Sequence, residues 1–209
     1  MIECFTLGPF ATNCYIVRAS GTDDCWIVDA GFDPQVMIDR LRELGARPQA
    51  IILTHGHADH IGGLDEMHDA FPAAPVMIHR LEKDFLTDPE LNLSAPFGGS
   101  LRCRPADRLL EGGETLALGS QSWRVLNTPG HSPGGITLYQ PESSVALVGD
   151  TLFFGSVGRF DFPTSSEASL VNSIRDTLYK LPDATTVYPG HGPSTTIGRE
   201  KKSNPYVRP

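Results

Sequence analysis

Residues 49–54 (QAIILT) form a short, almost wholly apolar run, and the chain that follows reads His55-Gly56-His57-Ala58-Asp59-His60. The apolar run is strand-like and buried on both faces, as strands of a parallel sheet are. Three imidazoles and a carboxylate within six residues of a strand end are a ligand set for zinc or a similar divalent ion. Gly56 removes a side chain where several ligands must converge. An isolated histidine is an ordinary polar residue, but this spacing turns one loop towards one point. A chain built this way must fold so that the end of this strand meets other polar groups and not a plain core.

Three more candidates recur in the same local setting. His131 follows the strand-like run 122–127 in the sequence Thr128-Pro129-Gly130-His131, Asp150 follows 145–148 beside Gly149, and His191 follows 183–188 in Pro189-Gly190-His191-Gly192. Sites collect at the carboxyl ends of strands in α/β folds, so the seven groups point to one edge.

The remaining pattern supplies the frame. β-rich runs are expected at 2–7, 13–18, 25–29, 75–79, 115–118, 136–139 and 145–148. Helices are expected at 34–44, capped by Asp33 with a stripe of Val36, Met37, Leu41 and Leu44, at 59–70, and at 166–181. Residues 88–106, rich in proline and paired glycines, read as a long surface loop. Two strand-rich halves closed by helices suggest a pair of sheets with helices outside, and no linker-like stretch divides residues 1–209 into separate domains.

Charge and composition narrow the partners. The 209 residues carry a formal net charge of −8, which opposes binding to a nucleic-acid backbone. No run of about 18 apolar residues is present, so no membrane span is expected. The N-terminal segment has no basic region before its first strand, so a secretory leader is not expected and a cytoplasmic location is. Cys4, Cys14, Cys25 and Cys103 make no CxxC pair and read as small buried hydrophobes. His68 and His79 fall outside the ligand pattern and read as surface or structural residues. Oligomeric state has no signature in the sequence.

The HxHxDH run, the later TPGH, the GD after a strand and the final GH, in that order, resemble the metallo-β-lactamase superfamily over nearly the whole chain. That resemblance implies an αββα four-layer sandwich of two mixed sheets with helices outside. It implies that His55, His57 and His131 hold one metal, that Asp59, His60 and His191 hold a second, and that Asp150 bridges. Asp29, in Ile27-Val28-Asp29, matches an aspartate that buttresses the ligand loop. The chemistry implied is hydrolysis by a metal-bridging hydroxide, with Asp59 handling a proton. Zinc is the expected metal, and iron and manganese suit the same donors.

Within the superfamily, residues 7–15 (LGPFATNCY), 155–160 (GSVGRF) and 201–208 (KKSNPYVR) are similar to the glyoxalase II-like branch, which hydrolyses S-lactoylglutathione. The resemblance assigns Arg159, Lys201, Lys202 and Arg208 to an anionic thioester substrate. Asp161 stands where the branch pattern has tyrosine. The chain ends at Pro209, directly after NPYVR, whereas full glyoxalase II continues into a helical domain, so a more open pocket is expected. The alternative is a persulfide dioxygenase with one iron on His55, His131 and Asp150, whose pattern the run 158–162 also approaches. Intact ligands at every position argue against a binding protein with a degenerate site. The missing leader argues against a secreted β-lactamase, and the acidic charge argues against a nuclease.

Overall fold

The computed structural model describes residues 1–209, which fall into two compact units, Met1–Leu110 with Ala117–Gln121, and Glu111–Leu116 with Ser122–Pro209. The first unit is built on a six-stranded sheet in sequential order: β1 (Ile2–Leu7), β2 (Thr12–Arg18), β3 (Asp24–Val28), β4 (Arg47–Ile52), β5 (Val76–His79) and β6 (Arg108–Leu110). β1, β2 and β3 pair antiparallel through short turns, and β3 to β6 pair parallel. The switch follows from the connections. Parallel neighbours need a crossover, and α1 (Gln35–Glu43) supplies it between β3 and β4. After β4 come α2 (Ala58–Ile61) and α3 (Leu64–Ala70) before β5.

α1 buries Met37, Ile38 and Leu41. Val36, expected on the apolar stripe, is exposed, and Ile38 takes its place. Asp33 does not cap this helix. Pro34 is the N-cap, without a side-chain hydrogen bond, and Asp33 has φ +58°. The apolar face of α1 packs with Cys14, Ile16, Ile27, Ile51 and Leu53 in the core of the unit. The expected single helix over 59–70 is two, because the chain turns at Gly62 and Gly63.

Residues 88–106 are not simply a surface loop. The buried Asn92 donates from Nδ2 to the carbonyls of Phe85 and Leu101, each at 3.0 Å, and its Oδ1 accepts from Ser94 N. That amide joins the two ends of the loop alongside its own backbone turns, and Cys103 packs in the core. Cys14 and Cys25 are buried as well, but Cys4 is exposed. Burial pushes the thiols of Cys25 and Cys103 up to about 12, so both stay neutral.

The second unit holds most of another six-stranded sheet, ordered β14-β13-β10-β9-β8-β7. Its members are β7 (Thr115–Leu118), β8 (Gln121–Asn127), β9 (Ile136–Gln140), β10 (Val145–Gly149), β13 (Thr186–Pro189) and β14 (Thr195–Thr196). β8, β9 and β10 run antiparallel, β10 and β13 parallel, and β13 and β14 antiparallel. A two-stranded hairpin, β11 (Leu152–Phe153) with β12 (Ser156–Val157), follows β10. The helix expected over 166–181 begins as α4 (Glu167–Asn172), capped by Ser166, then widens into a π turn over Ser173–Thr177 and tightens to a 3-10 turn. The C-terminal helix α5 (Ile197–Ser203) is one the sequence pattern does not predict. Leu170, Ile174, Leu178 and Ile197 pack on Ala146, Val148 and Val187.

The α1 packing has a measurable consequence. Leu41→Ala removes a fully buried side chain and should lower unfolding free energy by about 2–5 kcal/mol. Urea denaturation checks this, and an unchanged midpoint would mean that α1 does not hold the sheet.

Candidate metal centre

Each unit carries part of the ligand set, and in each the sheet topology explains why. β3 and β4 are parallel, so their carboxyl ends lie side by side, and Asp29 N donates to Ile52 O at 3.0 Å. The residues that leave those two ends are Asp29 and the run from Thr54. Asp29 is buried and takes φ +62°, a conformation that costs a non-glycine residue energy unless its surroundings enforce it. Its carboxylate receives three donors or ring contacts. Thr54 N donates to Oδ1 at 2.7 Å, Thr54 Oγ1 to Oδ2 at 2.8 Å, and His60 Nδ1 lies 2.9 Å from Oδ2. Asp29 thus contacts both Thr54 and His60 of the histidine-rich loop.

The consequence for His60 is a fixed tautomer. With Nδ1 donating to Asp29, Nε2 carries the lone pair, and it stands 3.5 Å from Asp59 Oδ2. Thr12 Oγ1 donates to the same Asp59 oxygen at 2.9 Å. His55 Nδ1 is 3.1 Å from Thr54 Oγ1. The His55 ring lies 4.1 Å from that of His60 and 4.7 Å from that of His57, centroid to centroid. His55, His57 and His60 are buried, and Asp59 is half-buried.

Two contributors had no sequence signal. Thr12 comes from the β1–β2 hairpin. Glu82, fully buried on the 3-10 turn after β5, accepts Gly56 N at 3.0 Å from Oε2, so a carboxylate holds the peptide between His55 and His57. Both are far away in sequence and ordinary in type, so only the fold reveals them. His79 is buried and caps that same turn by accepting Leu81 N, which is the structural role expected of it.

The second unit repeats the device. β10 and β13 are parallel, Gly190 N donates to Gly149 O at 2.9 Å, and Asp150 and His191 leave the adjacent strand ends. His191 Nε2 is 3.4 Å and His131 Nε2 3.5 Å from Asp150 Oδ2. His131 Nδ1 donates to Arg159 O at 2.8 Å, which leaves Nε2 as the lone-pair nitrogen. The loop that delivers His131 lies on α4. Gly130, at φ +137°, sits where any Cβ would run into the Leu170 backbone, and Ser166 N donates to Gly130 O.

These separations suit a metal. Two ligands on one zinc at about 2.0–2.1 Å in tetrahedral array stand about 3.3 Å apart. The 3.4–3.5 Å gaps between Nε2 atoms and carboxylate oxygens match that edge better than a strong hydrogen bond. Anchored Nδ1 atoms complete the fit, because metal-bound imidazoles generally donate their other nitrogen. The histidine and aspartate donors can therefore bind a metal.

The expected substrate cations are mostly engaged within the chain. Arg159 makes two 2.9 Å bonds to Asp161 and lies 4.4 Å from the Phe162 ring centre. That contact raises the Arg159 pKa and lowers that of Asp161. Lys201 pairs with Asp183 at 2.6 Å, and Arg208 donates to the Lys202 carbonyl. Lys202 is exposed.

Comparison with known proteins places this geometry. The profile of the Metallo-beta-lactamase superfamily matches residues 7–191. A probable metallo-hydrolase of Bacillus subtilis, YqgX, is 38% identical over 202 residues, covering 96% of this chain and 94% of the relative. The Haemophilus influenzae hydroxyacylglutathione hydrolase GloC is 34% identical over 208 residues, covering 99% and 97%. Among solved structures, BLEG-1 B3 metallo-beta-lactamase superposes with a TM-score of 0.94 at 39% identity, covering 99% of each chain. TTHA1623 in a di-iron-bound form does so at 0.87 and 35%, covering 98% of this chain and 99% of the other. Two mixed sheets with helices are thus the architecture here, as the sequence led one to expect. No helix is long and apolar enough to cross a membrane.

Asp29→Asn should place an amide donor against a donor and free the His60 ring. Affinity for zinc is expected to fall about 10–100-fold, read by competition with a chromogenic chelator. Wild-type affinity in the variant would remove Asp29 from the support of the site. Gly130→Ala should displace His131 from α4 and lower the melting temperature together with metal affinity; a fully stable, fully loaded variant would refute the close contact.

Proposed function

The chain belongs to the metallo-β-lactamase superfamily, and on that premise we propose that it is a binuclear metal-dependent hydrolase of acyl thioesters, S-lactoylglutathione among them. The observation that carries the reading is the pair of Nδ1-anchored histidines, His60 and His131, whose Nε2 atoms face carboxylates across 3.5 Å, with His191 Nε2 3.4 Å from Asp150. Kinship with hydroxyacylglutathione hydrolase GloC over almost the whole of both chains supports the thioester.

In this reading His55, His57 and His131 hold one ion, Asp59, His60 and His191 the other, and Asp150 serves both. When bound, such ions supply a hydroxide at neutral pH and stabilise negative charge on a carbonyl oxygen. Zinc is the metal we assign, with iron and manganese compatible with the donors; the related TTHA1623 binds two irons. The chain's own groups do the rest. Thr12 holds the Asp59 carboxylate against rotation, and Asp59 takes up a proton from the attacking water. A thiolate leaves without a strong general acid, and no such acid is required here.

Anion recognition is the task of Arg159, with Lys201, Lys202 and Arg208 as further candidates. Arg159 gives Nε and Nη2 to Asp161, so a substrate carboxylate shares the guanidinium with it, and both side chains are well exposed. The benefit is therefore small, because water and salt screen it. Arg159→Ala should raise KM up to about fivefold with kcat unchanged, and Asp161→Asn should lower KM. Equal constants in all three proteins would strike Arg159 from the substrate site.

The function itself is tested by metal analysis of the purified protein with three assays. These are thiol release from S-lactoylglutathione and other acyl thioesters, oxygen uptake with glutathione persulfide, and opening of a chromogenic cephalosporin. Two ions and metal-dependent thiol release are expected. Asp150→Ala should lose both ions and slow thiol release by more than about a hundredfold. One ion with oxygen uptake would replace this reading with a persulfide dioxygenase. Cephalosporin opening without thiol release would replace the thioester with a lactam.

A further inference from the structure

The segment that leaves Asp150 is a hairpin of two residues per strand, β11 with β12. So small a ribbon does not hold its own shape in water. The hairpin and the two residues after it nevertheless meet every candidate ligand of their unit. Phe153 stands edge-on to His191, with ring centres 6.1 Å apart at 88°. Past the hairpin, Gly158 is pressed so closely on the Asp150 carbonyl that a Cβ there would overlap it. The next residue supplies the Arg159 carbonyl that receives His131 Nδ1.

The hairpin is gripped from the C-terminal helix. Glu200, fully buried on α5, accepts Gly155 N at 3.0 Å and Asn204 Nδ2 at 2.9 Å through Oε2. Its Oε1 accepts Thr195 Oγ1 at 2.5 Å and the Arg199 guanidinium. Asn204, also fully buried, donates from Nδ2 to Ser156 O at 3.0 Å, while its Oδ1 accepts Tyr206 N and Val207 N. The two side chains therefore hold the N–H of residue 155 and the carbonyl of residue 156, at the turn of the hairpin. Burial pushes the Glu200 carboxyl up, but the hydrogen bonds together hold it below its ordinary value. A buried carboxylate is kept only where such donors surround it.

We propose that Glu200 and Asn204 form a latch that fixes the β11–β12 hairpin and, through it, the ring orientations of His131 and His191. They are positioning residues of the candidate metal centre, so the proposal rests on the reading of those histidines as ligands. It also gives the KKSNPYVR end a different task from the one its resemblance implies. Its asparagine works inward on the site's own frame, whereas its cations point to substrate only by analogy.

The test uses the full chain with zinc as the probe. Asn204→Ala should remain folded by circular dichroism yet lose or broaden the His131 Nδ1–H resonance in the metal-free protein. Zinc affinity should drop about 10–100-fold, the range for loss of outer support at a metal site. Glu200→Gln keeps one oxygen for Gly155 and should stay within a few-fold of wild type on both readouts. If the alanine variant does not fold, Asn204→Ser replaces it with the same expectations, since the neutral, shorter side chain loses the amide donor to Ser156 without adding a charge beside Glu200. Variants that melt earlier but keep the wild-type His131 resonance and zinc affinity would reduce the latch to a structural fastening and overturn the proposal. A wild-type protein that binds no zinc would instead overturn the metal centre, while the ring resonance would still decide the latch.

Discussion

The carboxylate of Asp29 ties the histidine-rich loop to the end of the sheet. It leaves the end of β3 in a left-handed conformation, beside the end of the parallel strand β4. From there it binds the backbone and hydroxyl of Thr54 and the Nδ1 side of His60. A buried anion is stable only when donors surround it, and these donors are the first and last turns of the ligand loop. The charge thus folds the loop and sets an imidazole tautomer with the same bonds. Glu82 supports the middle of that loop through Gly56 N.

The second unit reaches a similar end by different means. Parallel pairing of β10 with β13 brings Asp150 and His191 to adjacent strand ends. His131 is anchored on a main-chain carbonyl and not on a carboxylate. A neutral anchor holds the tautomer with less charge behind it. The carbonyl belongs to Arg159, on the segment fastened to α5, so this half depends on packing at the C-terminal end of the chain.

The periphery separates chemistry from specificity. Relatives of similar length bear names as different as hydroxyacylglutathione hydrolase and B3 metallo-beta-lactamase, as expected where function resides in the site and not the fold. In this chain Arg159 is paired with its neighbour Asp161, and the overall charge is negative, so that cation is both competed for and screened.

Sequence periodicity was enough for most strands and for the order of both halves, because a buried strand end followed by clustered histidines leaves few alternatives. It misjudged Asp33, Val36 and residues 88–106, where the outcome depends on which neighbour is present. Asp33 turns left-handed instead of capping α1, Val36 faces solvent while Ile38 is covered, and Asn92 draws a loop inward by bonding carbonyls before and after it in the chain. The C-terminal helix was invisible because its conspicuous residues are cations, while Ile197, Glu200 and Asn204 carry its packing. By itself the sequence determined which donors the chain owns and that each follows a strand, since ligand type and local period are properties of neighbours along the chain. Tertiary structure alone decided which nitrogen of each anchored histidine bears the proton and what holds its ring, because Asp29, Arg159 O, Glu200 and Asn204 meet their partners only after the strands have paired.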